Sequence, residues 1–234
     1  MMNTIAQRLK EVRNQIAAAC KEASRDPADV QLLAVSKTRP VAEILEARQA
    51  GQTEFGENYV QEGISKITDL AEHKELVWHF IGPIQSNKTR DIAGSFAWVH
   101  SIDRSKIARR LSEQRDDSLP PINVLIQVNI DQEETKAGVL PAEIRSLAEQ
   151  ISSLPRLRLR GLMAIPAATA DDTERERSFA SMQSLYLELQ AQYDHIDTLS
   201  MGMSDDLFAA IKYGATTVRV GTAIFGSRPS DKNN

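Results

Sequence analysis

The feature that most constrains this chain is a rhythm. From Leu32 onward, short apolar runs alternate with amphipathic stripes, and no linker or low-complexity stretch divides them. The runs are Leu32–Lys37, Thr53–Gly56, Val77–Ile81, Trp98–Ile102, Val124–Val128, Leu157–Ile165, His195–Ser200 and Thr216–Val220. Each is short and rich in residues suited to a pleated, buried surface, so each reads as a strand. Between them lie helical patterns at Val41–Ala50, at Val60, Ile64, Ile67 and Ala71, at Lys88–Ala93, and in a segment running to Arg115 that Asp103 or Ser105 can cap. Further helices follow Pro141, with Ile144, Leu147 and Ile151 on one face, then Phe179, Met182, Tyr186 and Leu189, then Ser204–Tyr213, and a short last element at Ala223–Phe225. Ile5, Leu9, Val12 and Ile16 stripe an extra helix from Asn3 to Ser24, with Cys20 as a small core residue on the same stripe.

Alternating strands and helices demand a mostly parallel sheet. Eight such units in 234 residues, slightly under the usual barrel length of about 250, fit a compact TIM (β/α)8 barrel. A doubly wound open sheet is the alternative, but it normally has fewer strands and a glycine-rich first turn. The chain is therefore read as one α/β domain over residues 1–226, with 227–234 a frayed tail.

Composition narrows the function. The balance of 28 basic and 32 acidic residues gives a net charge of −4, which argues against a nucleic-acid or anionic-membrane surface built from bulk charge. One cysteine excludes an intramolecular disulfide, so a reducing, cytoplasmic setting is expected. The N-terminus has no apolar leader, and no stretch approaches a membrane span. The four histidines are scattered without metal-ligand spacing, so no metal site is expected. No Walker A, dinucleotide fingerprint or nucleophile elbow is present.

A barrel places its chemistry on the loops after the strands. Lys37 ends the first strand there. Either it caps the strand with its head in water, or a sheltered site holds it toward the neutral amine that attacks an aldehyde. Ser200, Gly202 and Ser204 follow the seventh strand, and Gly221 and Thr222 the eighth. These are either helix caps and tight turns or the two halves of a phosphate cradle, in the place where barrels commonly hold phosphate. His79 is either a core histidine or a neighbour of a planar ligand, and Asn58 closes another strand. The run Asp171–Arg177 reads as a solvated helix start. A lysine and a phosphate cradle together fit an aldehyde that carries a phosphate. Pyridoxal 5′-phosphate is the obvious such ligand, with Arg219 then a candidate partner for its ring nitrogen.

Six motifs stand in order along the chain: Leu33-Ala34-Val35-Ser36-Lys37-Thr38, Phe55-Gly56-Glu57-Asn58-Tyr59-Val60-Gln61-Glu62, Trp78 to Lys88, Gly161-Leu162-Met163-Ala164-Ile165-Pro166, Leu199 to Asp206, and Val218 to Gly226. Together they resemble the pyridoxal phosphate homeostasis proteins over nearly the whole chain. The resemblance implies a barrel of the alanine racemase N-terminal type (fold type III), with Lys37 as the Schiff-base lysine. It also implies phosphate contacts from Ser200, Gly221 and Thr222, and Arg219 at the ring nitrogen. The function implied is vitamin B6 homeostasis, holding and buffering or delivering pyridoxal phosphate with no catalytic residue. Dependent apoenzymes would then be recipients and the chain a monomer. Because the chain ends a few residues after Gly226, no second domain with a catalytic tyrosine is expected. An amino-acid racemase of the same fold is the alternative, and a phosphosugar aldolase or isomerase barrel a more distant one.

Overall fold

The computed structural model describes residues 4–167 and 171–227. Eight parallel strands close into a barrel in sequence order: β1 (Gln31–Val35), β2 (Glu54–Glu57), β3 (Val77–Phe80), β4 (Trp98–Ile102), β5 (Ile122–Val128), β6 (Leu157–Ala164), β7 (Thr198–Ser200) and β8 (Thr217–Val220). The expected barrel is what forms, and closure comes from β1 pairing with β8, Leu33 opposite Arg219 and Ala34 opposite Val220.

The helices are α1 (Ile5–Glu22), α2 (Val41–Gln49), α3 (Val60–Asp69), α4 (Thr89–Ser95), α5 (Ser105–Gln114), α6 (Ile144–Ser152), α7 (Asp172–Gln190), α8 (Leu207–Lys212) and α9 (Thr222–Phe225). The additional N-terminal helix α1 packs beside α2, α8 and α9, where the first and last units of the barrel meet. It starts at Ile5 because Thr4 and Gln7 form a capping box: Gln7 N–H donates to Thr4 Oγ1 and Thr4 N–H to Gln7 Oε1. Its stripe, Cys20 included, is buried as expected.

Strand alternation sorts the side chains into two cores. Leu32 and Ala34 of β1, Val124, Ile126 and Val128 of β5, Leu162 and Ala164 of β6, and Val218 and Val220 of β8 join the large apolar cluster shared with the helices. Their neighbours in the opposite phase, Leu33, Leu125 and Met163, are buried but stand outside that cluster, so they fill the lumen. In the same phase stand Glu54, His79, His100, Ser200 and Arg219. The lumen is therefore apolar on one part of its wall and polar on another.

Several expected details shift. Helix α3 turns its face: Gly63, Lys66 and the following Leu70 are buried, whereas Val60, Ile64 and Ile67 are half-buried and Ala71 is exposed. The reason is a buried polar partner for Lys66 on β2, described below. Neither Asp103 nor Ser105 caps α5. Arg104 holds the cap position, and the Asp103 carboxylate accepts from the Arg104 guanidinium instead. Pro141 opens a 3-10 turn that leads into α6. The seventh strand begins at Thr198, and His195 lies before it against the Tyr193 ring. Asp171 caps α7, as a solvated helix start should. Most of the expected frayed tail, 228–234, lies outside the described residues.

Candidate functional site

Lys37 sits two residues beyond β1 and is half-buried. Among the described residues its amine has no hydrogen-bond or ion-pair partner. Ser36 turns toward Glu57, and Lys37 begins the turn that follows at the barrel mouth, where Arg39 N–H donates to the Ser36 carbonyl at 3.0 Å. The segment that carries it is held on both flanks. Ser36 Oγ donates to Glu57 Oε1 at 2.6 Å, and Lys66 Nζ donates to the Ser36 carbonyl at 2.7 Å and to Glu57 Oε1 at 2.8 Å. Lys66 also pairs with Glu62, which in turn accepts from the Thr38 N–H. Thr38 takes a left-handed backbone, φ 62°, a costly conformation for a β-branched residue that its surroundings must enforce. On the far side, Arg39 donates to the Gly226 carbonyl and lies over the Phe225 ring. The loops after the first and last strands are thus tied together.

Glu57 and Lys66 are both buried. Burial raises the Glu57 carboxyl above its ordinary value, and the Lys66 ammonium works against that rise. This pair lies between β2 and α3, behind the Lys37 turn.

The loop after β8 lies directly against the end of β1. A Cβ on Gly221 would come within 3.2 Å of the Val35 carbonyl, so glycine permits the approach. In the neighbouring loop after β7, Gly202 adopts φ 94°, and a side chain there would collide with Ala210 at 2.4 Å. The Gly202 carbonyl accepts from Arg219 N–H at 2.9 Å, which fixes this loop to β8. Asp206 turns back to accept from the Met203 N–H. Ser204 lies in the turn before α8, and Thr222 opens α9, whose first N–H groups have no intrahelical acceptor. Asn58, after β2, has a buried Oδ1 with no hydrogen-bond partner.

Arg219 is buried in the lumen. Its guanidinium donates to Ser200 Oγ at 2.7 Å and to the Ala164 carbonyl at 2.9 Å. Burial lowers its pKa to about 10, with Asp206 opposing the shift, so it stays charged. Ser200 is fully buried, and its hydroxyl lies between Arg219 and His100. His79 sits within the barrel wall, below the loops. Both of its ring nitrogens are taken, one by His100 at 2.9 Å and one by Glu54 at 2.7 Å.

The structure therefore gathers Lys37, Gly221 and Thr222 at one seam of the mouth, with Gly202 joined to them through Arg219. It sets His79 apart as a lumen residue. Glu54, Glu57, Lys66 and His100 are the contributors that sequence reasoning missed. For His100 a signal existed: it is a polar residue within an apolar strand. Lys66 gave none, because Glu62 and Lys66 four apart read as an ordinary solvated pair.

Comparison with known proteins places this geometry. The fold is that of the alanine racemase N-terminal domain, whose family model matches residues 8–229. Within that class, the pyridoxal phosphate homeostasis protein of Vibrio alginolyticus is 56% identical over 97% of this chain and 99% of its own length. That of Escherichia coli K12 is 53% identical over 99% of this chain and 100% of its own. The solved structure of Synechococcus elongatus PipY with pyridoxal phosphate bound is 39% identical. It covers 95% of this chain and 100% of its own, with a TM-score of 0.82. The chain belongs to the family of pyridoxal phosphate homeostasis proteins.

Proposed function

We propose that the chain binds pyridoxal 5′-phosphate at the barrel mouth and serves in its homeostasis, holding it and buffering or delivering it. The observation that carries this reading is Lys37: a half-buried amine without a partner, on a braced turn, beside two glycine-bearing loops. The residues present fit the cofactor. Among the described residues Asn58 Oδ1 has no hydrogen-bond partner, Gly221 lets the loop after β8 lie against the end of β1, and the first N–H groups of α9 have no intrahelical acceptor. A bound PipY and the names of the relatives support the same ligand.

In this reading Lys37 is the amine that anchors the cofactor covalently. Ser204, Thr222 and the backbone around Gly202 and Gly221 hold its phosphate. Arg219 faces its ring nitrogen, and Asn58 borders the ring. The Ser200 hydroxyl supports Arg219, since its one proton is already given to His100. His79 acts through His100 and touches nothing at the mouth. When bound, the cofactor supplies an aldehyde for reversible capture and a ring that can act as an electron sink. A monomer is part of the same proposal. Among the described residues no helix is long and apolar enough to cross a membrane. A cytoplasmic location and delivery to apoenzymes that need the cofactor complete the proposal.

Borohydride trapping followed by mass spectrometry tests the anchor. The wild-type chain should carry one reduced pyridoxal phosphate on Lys37, and Lys37→Ala should lose it. An undiminished adduct on another lysine would overturn the assignment. Noncovalent retention by Lys37→Ala would not, because the phosphate loops remain.

A further inference from the structure

We propose that Glu54, His79, His100 and Ser200 form a single polarised hydrogen-bond chain across the barrel lumen that holds the Arg219 guanidinium in place, which makes Ser200 and His100 positioning residues. Five strands contribute. Glu54 opens β2, His79 is in β3 and His100 in β4, Ser200 ends β7 and Arg219 is in β8. His100 and Ser200 come from non-adjacent strands, so their contact at 3.1 Å spans the lumen.

The ends dictate the direction. Arginine can only donate, and an ionised carboxylate can only accept. Arg219 gives a proton to Ser200 Oγ at 2.7 Å. Ser200 is fully buried and has no other acceptor among the described residues, so its hydroxyl must donate to His100 Nδ1. His100 then carries its proton on Nε2 and donates to His79 Nδ1 at 2.9 Å. His79 likewise carries its proton on Nε2 and donates to Glu54 Oε2 at 2.7 Å. Every donor meets an acceptor, and both rings are neutral with one tautomer each. A proton added to His79 Nδ1 would face the His100 Nε2–H donor, and one added to His100 Nδ1 would leave the buried Ser200 O–H without an acceptor.

Independent features agree. Burial pushes the pKa of both imidazoles down, and His79 and Arg219 press His100 further in the same direction. Glu54 opposes the shift at His79. Trp98 stacks on His79 at 5.4 Å and 9° between planes, and Arg160 lies over Trp98 at 4.9 Å, so the ring cannot swing. The chain leaves Arg219 with a fixed plane, set by Ser200 on one side and the Ala164 carbonyl on the other. Its remaining N–H groups are then presented in one direction. That this direction serves the cofactor rests on the proposed function; the chain itself does not.

The test begins with the ligand-free, full-length protein. Long-range proton–nitrogen NMR of nitrogen-15 histidine should show His79 and His100 both as neutral Nε2–H tautomers at pH 7. A proton on Nδ1 of either ring overturns the chain, whatever the cofactor does. The Arg219 side-chain N–H signals should be sharp in the wild type and broadened in Ser200→Ala and His100→Leu. His100→Gln should retain them, because an amide both accepts and donates. Adding pyridoxal phosphate reads the consequence. The His100→Leu protein, folded by circular dichroism, should bind it about tenfold more weakly and with a displaced absorption maximum. His100→Gln should stay near wild type. Unchanged Arg219 signals in a folded His100→Leu, or in Ser200→Ala should His100→Leu not fold, would remove the positioning role. Failure of borohydride trapping at Lys37 would instead strike the cofactor assignment and leave the tautomer result standing.

Discussion

Lys66 Nζ donates to the backbone carbonyl of Ser36 at 2.7 Å from thirty residues further along the chain. The same ammonium is shared with Glu57 and Glu62. It thereby fixes the turn that presents Lys37, and a surface-type residue becomes an internal support. Removing one partner of a buried pair leaves an uncompensated charge, so Lys66→Met should destabilise the fold by about 3–5 kcal/mol. Replacing both, Lys66→Met with Glu57→Leu, should recover much of that loss, since a packed apolar pair needs no desolvation. Urea unfolding of the two variants checks the contrast. Equal losses in the single and double variants would mean that the pair holds more than each other's charge.

The two lumen histidines set a pH dependence. Both have folded-state pKa values depressed below the ordinary 6.5, His100 well below it, first because of burial. The unfolded chain therefore takes up protons that the folded chain refuses. Their contribution is present above pH 6.5 and is lost as pH falls below it toward the folded-state values. While both rings stay neutral in the fold, each contributes about 1.4 kcal/mol per pH unit of slope. Chemical denaturation between pH 7 and pH 5 should show a steep decline that His100→Gln reduces. A flat profile across that window would show that the histidines titrate alike in both states.

At the mouth, binding strength should divide between backbone and hydroxyls. Ser204→Ala and Thr222→Val each remove one hydroxyl from a proposed phosphate contact. Each should weaken pyridoxal phosphate binding by about 1–3 kcal/mol, as charge-assisted hydrogen bonds do, and leave pyridoxal binding unchanged. Equilibrium titrations of the two ligands make the comparison. Equal affinity of the wild type for both would remove the cradle. Gly202→Ala should be worse than either, because its positive φ and the 2.4 Å approach to Ala210 distort the loop itself.

Much of this was legible in the residues, and the reason is periodicity. Eight apolar runs alternating with striped helices leave few closed solutions, and Lys37, Gly221 and Thr222 each stood at a strand end. What periodicity could not show was phase. Whether His79 faced ligand or core depended on its neighbours across the lumen, His100 on β4 and Ser200 on β7, which are remote in sequence. The same blindness hid Lys66. A sequence shows that Glu62 and Lys66 share a helix face, but not that Glu57 on the neighbouring strand draws that face inward. Ser200 was read as a phosphate contact from its place after a strand and from the family resemblance; its buried hydroxyl also has two neighbours that only the closed barrel supplies.

Arg219 also bears on whether the bound cofactor is put to catalytic use. A pyridine ring is a deep electron sink when its nitrogen is protonated, and an acidic partner keeps it so. Arg219 holds no carboxylate to offer. Its pKa near 10 keeps it cationic at neutral pH, and all its hydrogen bonds are donated. A nitrogen set against it would accept a proton contact and stay unprotonated, so a carbanion at the substrate's Cα would gain little stabilisation. Racemisation further needs a second base opposite Lys37. The tyrosine after β2, Tyr59, is 55% exposed, and among the described residues its hydroxyl has no hydrogen-bond partner. The loaded protein, incubated with L-alanine in deuterated water, should exchange its Cα proton far more slowly than the roughly 1 per second at which enzymes begin to turn over. Exchange or racemisation at that rate or faster would make the protein a catalyst, and a Tyr59→Phe variant would then show whether the second base had been in the β2 loop.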